Sequence, residues 1–267
     1  MAKILFIGDV VGKGGRRVLR QVLPQWREEH KPDAVIVNVE NMAHGKGVTL
    51  STMKEIEDLG IDVYTGGNHI FSKHDLAEGV FEKYPNLIRP ANFVGQYPGH
   101  GYYRFSKAGQ QYLVLNLNAQ VFMETQFESQ ISNPFAMLDD LVREQSQKGD
   151  IIVVDFHSEA SSEKIAFGWH ADGKVTAVLG THTHVPTADG RILPQGTAYI
   201  SDVGMTGARD GIIGVVRDNA MKKFFDPSIK FKNEPEEEGV MQINGVILET
   251  DENGKAKSIK GLHGEIN

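Results

Sequence analysis

The sequence contains no cysteine, and this absence narrows the kinds of site that the chain can build. Without thiols there is no disulfide framework, no thiolate zinc site and no iron–sulfur cluster. Any metal ion must therefore be held by histidine, aspartate, glutamate or asparagine side chains. The chain has ten histidines and 35 acidic residues from which such a site can be built.

Two further features are missing, namely an excess of positive charge and a long apolar run. The formal net charge is -7, so no overall basic field exists to hold long nucleic acid, although a small phosphorylated ligand needs only local donors or metals. No apolar run approaches the roughly 20 residues of a membrane span. The run at residues 4–8 is too short for the core of a signal peptide. We therefore expect a cytoplasmic protein that binds neither a membrane nor long nucleic acid.

What the sequence does contain is an alternation of β-branched runs with helical segments, and 40% of its 267 residues are hydrophobic. This pattern predicts an α/β layered fold, and the length fits a single domain over residues 1–267. The predicted strands cover residues 3–9, 33–41, 62–69, 151–159 and 175–184. The predicted helices cover residues 15–30, 49–60, 134–150 and 161–174.

The pattern changes after residue 100. Residues 102–119 predict an antiparallel hairpin that turns at residues 107–110, so antiparallel strands are expected to join the sheet. Residues 121–135 have no clear period, and we expect a loop packed on the core, with a lid or an oligomer contact as alternatives. The C-terminal third is predicted to continue as strands, with a hairpin turn at residues 249–256.

Polar side chains that can bind a metal follow five of the predicted strands. They are Asp9, Glu40, Asn41, Asn68, His69, His157, His182 and His184. Each has a structural alternative: an Asp at a strand end is commonly a turn former, a lone His is commonly a hydrogen-bonded core residue, and Gly66 and Gly67 can provide a turn with positive φ. Because ligands bind at the carboxyl ends of strands in layered α/β proteins, the combination favours one shared site.

The two histidines in the stretch "GTHTHV" are one residue apart at the end of an apolar run. If the segment is extended, His182 and His184 point the same way, and each can reach a different ion of a metal pair. Two ions about 3.5 to 4 Å apart need a carboxylate bridge, for which Glu40 is the candidate. Asp9 would be a second carboxylate and Asn68 would offer its amide oxygen. Ligands of this kind suit Fe, Mn or Zn.

Taken in order, the stretches "GDVVG", "NVEN", "GGNH", "DFHSE" and "GTHTHV" resemble the calcineurin-like metallophosphoesterases. Within that superfamily they resemble the YmdB-like branch of bacterial cyclic nucleotide phosphodiesterases, and the resemblance extends over nearly the whole chain. Most superfamily members open with Asp-x-His and carry a bridging Asp followed by Arg. The Asp9-Val10-Val11 and Glu40-Asn41 stretches depart from that pattern in the way typical of the YmdB-like branch. The resemblance implies a layered α-β-β-α sandwich of mixed sheets.

The resemblance also implies roles for the polar residues. It implies that one metal is held by Asp9, Glu40, Asn41 and His184, and the other by Glu40, Asn68, His157 and His182. The ions are expected to be Fe or Mn, with Zn as the alternative. A hydroxide bridging the metals would attack the phosphorus of a 2',3'- or 3',5'-cyclic nucleotide, and His69 would protonate the departing sugar oxygen. Met42 and His44 stand where the branch usually has small residues, which leaves the substrate preference open.

Other functions remain as alternatives at this point. A non-catalytic nucleotide-binding module is disfavoured because "GDVVGKGGRR" has Gly14 where a P-loop needs Ser or Thr, and Arg17 where a dinucleotide motif needs glycine. Arg16 and Arg17 are interpreted as exposed residues that open a helix, or as contacts to substrate phosphate. A phosphomonoesterase, a nuclease, a protein phosphatase and a nucleotide-binding regulator all stay compatible with the same residues, as does a homo-oligomer.

Overall fold

The structure is a computed structural model that describes residues 1–123, 130–229 and 234–267, with the backbone alone for residues 74–78. Its strands are β1 (Lys3–Ile7), β2 (Asp9–Val10), β3 (Ala34–Asn38), β4 (Val63–Thr65), β5 (Tyr102–Lys107), β6 (Gln110–Asn118), β7 (Ile151–His157), β8 (Ala177–Thr181), β9 (Arg191–Ile192), β10 (Ala198–Ile200), β11 (Met205–Ala208), β12 (Met241–Thr250) and β13 (Ala256–Ile266). Its helices are α1 (Gly12–His30), α2 (Leu50–Lys54), α3 (His74–Lys83), α4 (Pro134–Gln145), α5 (Ser161–Ala171) and α6 (Arg217–Phe225), with a 3-10 turn at Glu57–Leu59.

The described strands form two mixed sheets. One has the order β2-β11-β12-β1-β3-β4, with β13 also paired to β12, and the other has the order β5-β6-β7-β8-β10-β9. Strands β1, β3 and β4 run parallel, and so do β6, β7, β8 and β10. The carboxyl ends of neighbouring parallel strands therefore meet at one edge of each sheet, which is where the loops with polar residues begin.

The two sheets pack face to face over an apolar core. Successive side chains of a strand point to opposite faces, so β1 supplies Phe6 to the core between the sheets and Leu5 to the outer face. Val153 of β7 and Leu179 of β8 enter the same inner core from the second sheet. Strands that are buried on both faces read as continuous apolar runs, which explains why these segments were recognisable in the sequence.

Helices cover the outer face of each sheet. Helix α1 packs on β11 and β12, and its Leu23 and Trp26 join Leu5 in the outer core. On the second sheet, Phe167 of α5 stacks on Phe156 of β7 with ring centroids 3.9 Å apart. The order of layers is therefore helix, sheet, sheet, helix, and the predicted α-β-β-α sandwich of mixed sheets is confirmed.

The hairpins at residues 102–119 and 249–256 are confirmed by the antiparallel pairs β5–β6 and β12–β13. The C-terminal third continues as strands, as predicted, but it also contains helix α6, which the prediction did not include. The predicted helix at 49–60 is divided into α2 and the 3-10 turn, and the helix predicted over 134–150 ends at residue 145. In the segment 121–135, Met123 and Ile131 are buried and Phe122 is exposed, while residues 124–129 lie outside the described residues. No helix in the described ranges is long and apolar enough to cross a membrane.

Candidate metal site

Four side-chain atoms from both sheets converge on one point of the structure. His157 Nε2, at the end of β7, lies 2.9 Å from Asn68 Oδ1, 3.0 Å from His182 Nδ1 and 3.1 Å from Glu40 Oε1. One ring nitrogen cannot form three hydrogen bonds at once. Oxygen and nitrogen atoms that carry lone pairs and lie this close together are typical ligands of a metal cation. Glu40, His157 and His182 accordingly form a group whose ligand atoms all lie within 4.8 Å of one another.

A second group of donors adjoins the first and shares Glu40 with it. Asn41 Nδ2 lies 3.1 Å from Glu40 Oε1 and 3.2 Å from His184 Nε2. Glu40 Oε1 therefore stands between the two groups, as expected of a bridging carboxylate. Asn41 presents its amide nitrogen here, so metal binding through Asn41 Oδ1 requires the amide to turn over.

Asp9 is fully buried beside the two groups. Its Oδ2 accepts a hydrogen bond of 3.2 Å from the backbone N–H of His182, and its Oδ1 lies 4.0 Å from His157 Nδ1. Among the described residues, Asp9 Oδ1 is a buried oxygen with no hydrogen-bond partner. An unpaired buried carboxylate oxygen is costly, and a cation would satisfy it. The donors present thus fit metal binding by oxygen and nitrogen.

Each of the three histidines has one ring nitrogen hydrogen-bonded away from the site. His182 Nε2 lies 3.0 Å from Glu159 Oε2, and His184 Nδ1 lies 2.9 Å from the carbonyl oxygen of Ile213. Because a neutral imidazole donates from one nitrogen only, these contacts leave His182 Nδ1 and His184 Nε2 with free lone pairs that face the site. His157 follows the same pattern through the hydroxyl of Thr181.

The loop that carries His182 and His184 is not extended, and the prediction of simple alternation is wrong. Strand β8 ends at Thr181, and φ is +98° at His182 and +67° at His184, in the left-handed region that non-glycine residues rarely adopt. The loop is held from below by Asp202, whose Oδ2 accepts 3.0 Å and 2.8 Å hydrogen bonds from Thr183 N–H and Oγ1–H. Both imidazoles still reach the site, His182 on the His157 side and His184 on the Asn41 side.

Asp202 is held in turn by a buried lysine. Lys164 Nζ, on α5, donates to Asp202 Oδ2 at 2.6 Å and to the carbonyl of Thr181 at 2.8 Å. Sequence reasoning missed this pair, and it missed Glu159 and Asp155 as well. The one signal in the sequence was a charged residue inside or directly after an apolar run, in "IIVVDFH" and "AYISD".

Glycine is required at position 67 because a side chain would not fit there, and not because of the backbone conformation. The alternative interpretation, a turn with positive φ at Gly66 and Gly67, does not apply, since neither is among the residues with positive φ. A Cβ at Gly67 would lie 2.1 Å from Glu40 Oε2 and 2.5 Å from His157 Nε2. The glycine therefore leaves room for two of the candidate ligands to meet.

The charges of the cluster perturb one another strongly. Burial raises the pKa of Asp9. Burial alone would also raise the pKa of Glu40, but the His157 imidazole beside it brings that pKa below its usual value. Burial, together with the neighbouring His157, lowers the pKa of His182 to about 2, so His182 is neutral. Burial opposes the charge on His157, yet the carboxylates of Glu40 and Asp9 raise its pKa to about 9.

A cavity of about 760 Å3 opens over these groups. Its polar lining comes from Glu40, Asn41, Lys46, His69, Glu159, His182, Thr183, His184 and Lys223, and the rest of its lining from Val11, Gly45, Ile212, Ile213, Val215, Ala220 and Phe224. His69 is half-buried at this cavity, and its backbone N–H donates to Glu40 Oε2 at 3.0 Å. Burial lowers the pKa of His69.

The arginines and the unusual loop residues near the site have structural surroundings. Arg16 is buried and pairs with Glu55 at 2.7 Å, while its guanidinium also donates to the carbonyl of Met42, so the expectation of an exposed residue is wrong for Arg16. Arg17 is exposed. Met42 is fully buried in the core, and His44 is exposed with φ of +54°.

Comparison with solved structures places the fold. A 5'-nucleotidase precursor from Thermus thermophilus superposes with a TM-score of 0.58 at 12% identity, covering 98% of this chain and 54% of that one, a likeness of fold alone. A crystal structure described as a novel phosphatase from Mycoplasma pneumoniae has a TM-score of 0.90 at 34% identity, covering 99% and 93%. Fold and site thus define a phosphoesterase with the layered architecture of the calcineurin-like metallophosphoesterases.

The family follows from sequence comparison. Residues 5–262 match the family described as YmdB-like protein, and the chain belongs to that family. A 2',3'-cyclic-nucleotide 2'-phosphodiesterase of Bacillus subtilis (strain 168) is 42% identical over 259 residues, which cover 97% of this chain and 94% of that protein. The expected family and the expectation of an enzyme acting on phosphate esters are thereby confirmed.

Proposed function

We propose that the protein is a two-metal phosphodiesterase that hydrolyses cyclic nucleotides, with 2',3'-cyclic nucleotides as the first candidate substrates. The observation that carries this proposal is the pair of donor groups sharing Glu40 at the base of one cavity. The name of the Bacillus subtilis relative supports the choice of substrate. Hydrolysis of a 3',5'-cyclic nucleotide belongs to the same proposal as a second activity.

The residues of the site divide between the two ions as follows. Asp9, Glu40, Asn41 and His184 would hold one metal, and Glu40, Asn68, His157 and His182 the other. When bound, such ions lower the pKa of a water molecule and stabilise negative charge on phosphoryl oxygens. Oxygen and imidazole ligands without thiolate suit iron or manganese, with zinc as the alternative.

His69 is proposed as the proton donor to the leaving sugar oxygen. It follows Asn68 directly, faces the cavity and is tied to Glu40 through its backbone and not through its ring. The imidazole is therefore free of the ligand cluster but next to it. A general acid must lie within hydrogen-bond reach of the atom that it protonates, and the position of His69 beside Glu40 in the cavity lining supports this role.

The cavity suits a nucleotide because its lining changes from polar to apolar. Phosphate would bind at the histidines and carboxamides, with Lys46 adding a positive charge to the lining. A nucleobase needs an apolar surface, and Phe224 of α6 offers one, since it lines the cavity and is 75% exposed. Long nucleic acid is disfavoured by the net charge of -7.

The first experiment measures metal content and activity together. Protein purified without a metal-affinity tag should contain about two ions of Fe, Mn or Zn per chain, and should hydrolyse 2',3'-cyclic nucleotides. The variants Asp9→Ala and His182→Ala should lose metal and activity together. A wild-type protein that binds no metal after reconstitution would refute the proposal. Activity on phosphomonoesters or oligonucleotides alone would show that the proposed substrate is wrong.

Because both sheets supply ligands to one site, we also infer that residues 1–267 form a single domain. The cytoplasmic location and the homo-oligomer stay predictions from the sequence.

A further inference from the structure

A buried carboxylate beneath the site connects the two sheets. Asp155 lies in β7 and is fully buried. Its Oδ2 accepts a 2.9 Å hydrogen bond from Asn38 Nδ2 of β3 and another from the hydroxyl of Thr65 in β4. Its Oδ1 accepts a 2.7 Å hydrogen bond from Thr181 Oγ1 of β8. Asp155 therefore contacts strands of both sheets, yet it lines no part of the cavity over the candidate metal ligands.

The hydrogen bonds around Thr181 have a fixed direction. A hydroxyl carries one proton, and a carboxylate can only accept, so Thr181 donates its proton to Asp155. Thr181 Oγ1 also lies 2.9 Å from His157 Nδ1, and with its own proton used it must accept there. The neutral form of His157, which metal binding requires, consequently carries its proton on Nδ1. The lone pair of His157 is then on Nε2, the atom that faces Asn68, His182 and Glu40.

We propose that Thr181 and Asp155 are positioning residues that fix the tautomer and the ring orientation of His157 for metal binding. The inference rests on the metal site of the proposed function. It names two residues that act through His157, since Thr181 contacts His157 Nδ1 and Asp155 contacts Thr181. The other two site histidines use simpler partners, the exposed carboxylate of Glu159 and a backbone carbonyl. His157 is fully buried, so it needs a partner from within the core.

The expected effect on metal affinity follows from the role of the group that is hydrogen-bonded to the ring nitrogen that does not bind the metal. Loss of such a partner weakens metal affinity by about 10- to 100-fold. Thr181→Val keeps the shape of the side chain but leaves His157 Nδ1–H without an acceptor, so the other tautomer becomes competitive. Thr181→Ser restores the hydroxyl and should restore affinity.

Thr65→Val is the matched control. It too removes one hydroxyl donor from Asp155 and is fully buried, but Thr65 does not contact His157 through a described hydrogen bond. Affinity for Mn2+ or Zn2+ is measured by competition with a chelator, and the tautomer of His157 by 15N chemical shifts in the zinc-loaded protein. We expect Thr181→Val to lose about 10- to 100-fold in affinity, and Thr65→Val to keep affinity within about threefold.

Two results would overturn the inference: equal losses of affinity in Thr181→Val and Thr65→Val, or a neutral His157 that carries its proton on Nε2 and not on Nδ1 in the wild type. Failure of the proposed function is distinguishable, because wild-type protein would then bind neither ion. In that case the 15N shifts of His157 in metal-free protein, at a pH alkaline enough to keep the imidazole neutral, still decide whether Thr181 fixes the tautomer. A loss of stability common to both variants is expected and is checked by thermal unfolding.

Discussion

Replacing Gly67 by alanine should disable the metal site while leaving the fold in place. The added Cβ would lie 2.1 Å from Glu40 Oε2 and 2.5 Å from His157 Nε2, whereas ordinary contact begins near 3.4 Å. Glu40 Oε2 would have to retreat by about 1.3 Å. Metal–ligand distances tolerate only about 0.2 Å, and a misplacement of about 1 Å can cost about 100-fold in rate. We expect metal affinity and kcat/KM each to fall by about 100-fold or more.

Gly66→Ala is the control for overpacking. Its Cβ would lie 2.9 Å from Ile70 Cγ1, an apolar neighbour, and no candidate ligand is among its nearest atoms. Overpacking of this kind costs about 1–3 kcal/mol, so both variants should be destabilised to a similar extent in urea unfolding of the metal-free protein. Metal affinity is measured by chelator competition and activity with a 2',3'-cyclic nucleotide. Gly67→Ala protein with wild-type affinity, or Gly66→Ala protein with an equal loss, would refute the geometry.

Three further predictions concern the acid, the cavity and metal loading. His69→Ala should slow turnover about 100-fold or more while metal content by mass spectrometry stays at the wild-type level, and loss of metal in this variant would make His69 a ligand. Phe224→Ala should raise KM for a cyclic nucleotide about tenfold because base stacking is lost. Phe225 is 82% exposed and lies outside the cavity lining, so Phe225→Ala should leave KM unchanged. Equal effects of the two variants would argue against base stacking. In the metal-free site the pKa of His157 is about 9, whereas a metal ligand must be a neutral imidazole. Metal binding at pH 7 should therefore release a proton, and the metal affinity should increase as the pH rises toward 9. Calorimetry in buffers of different ionisation enthalpy measures that release, and its absence at pH 7 contradicts the assignment.

The sequence predicted those parts of the molecule whose structure depends on residues close together in the chain. Apolar runs gave the strands, and the polar residues that end them lie together because parallel strands share a carboxyl edge. The conformation of the His182 loop was not predictable, because it depends on Asp202 and Lys164, which are 38 residues apart in the chain. Helix α6 was missed because Ala220 is the one buried residue among its nine, so no apolar periodicity marks it in the sequence.

The backbone conformation of the His182 loop and the buried charges beneath it make the metal-free site costly. Backbone in the left-handed region at His182 and His184 costs about 1–3 kcal/mol for each residue, and the buried pair of Lys164 and Asp202 is desolvated. In this conformation His182 Nδ1 lies 3.0 Å from His157 Nε2, and His184 Nε2 lies 3.2 Å from Asn41 Nδ2, so both imidazoles reach the candidate ligand groups. We therefore expect this loop to move little when ions bind, and we expect bound metal to stabilise the folded protein.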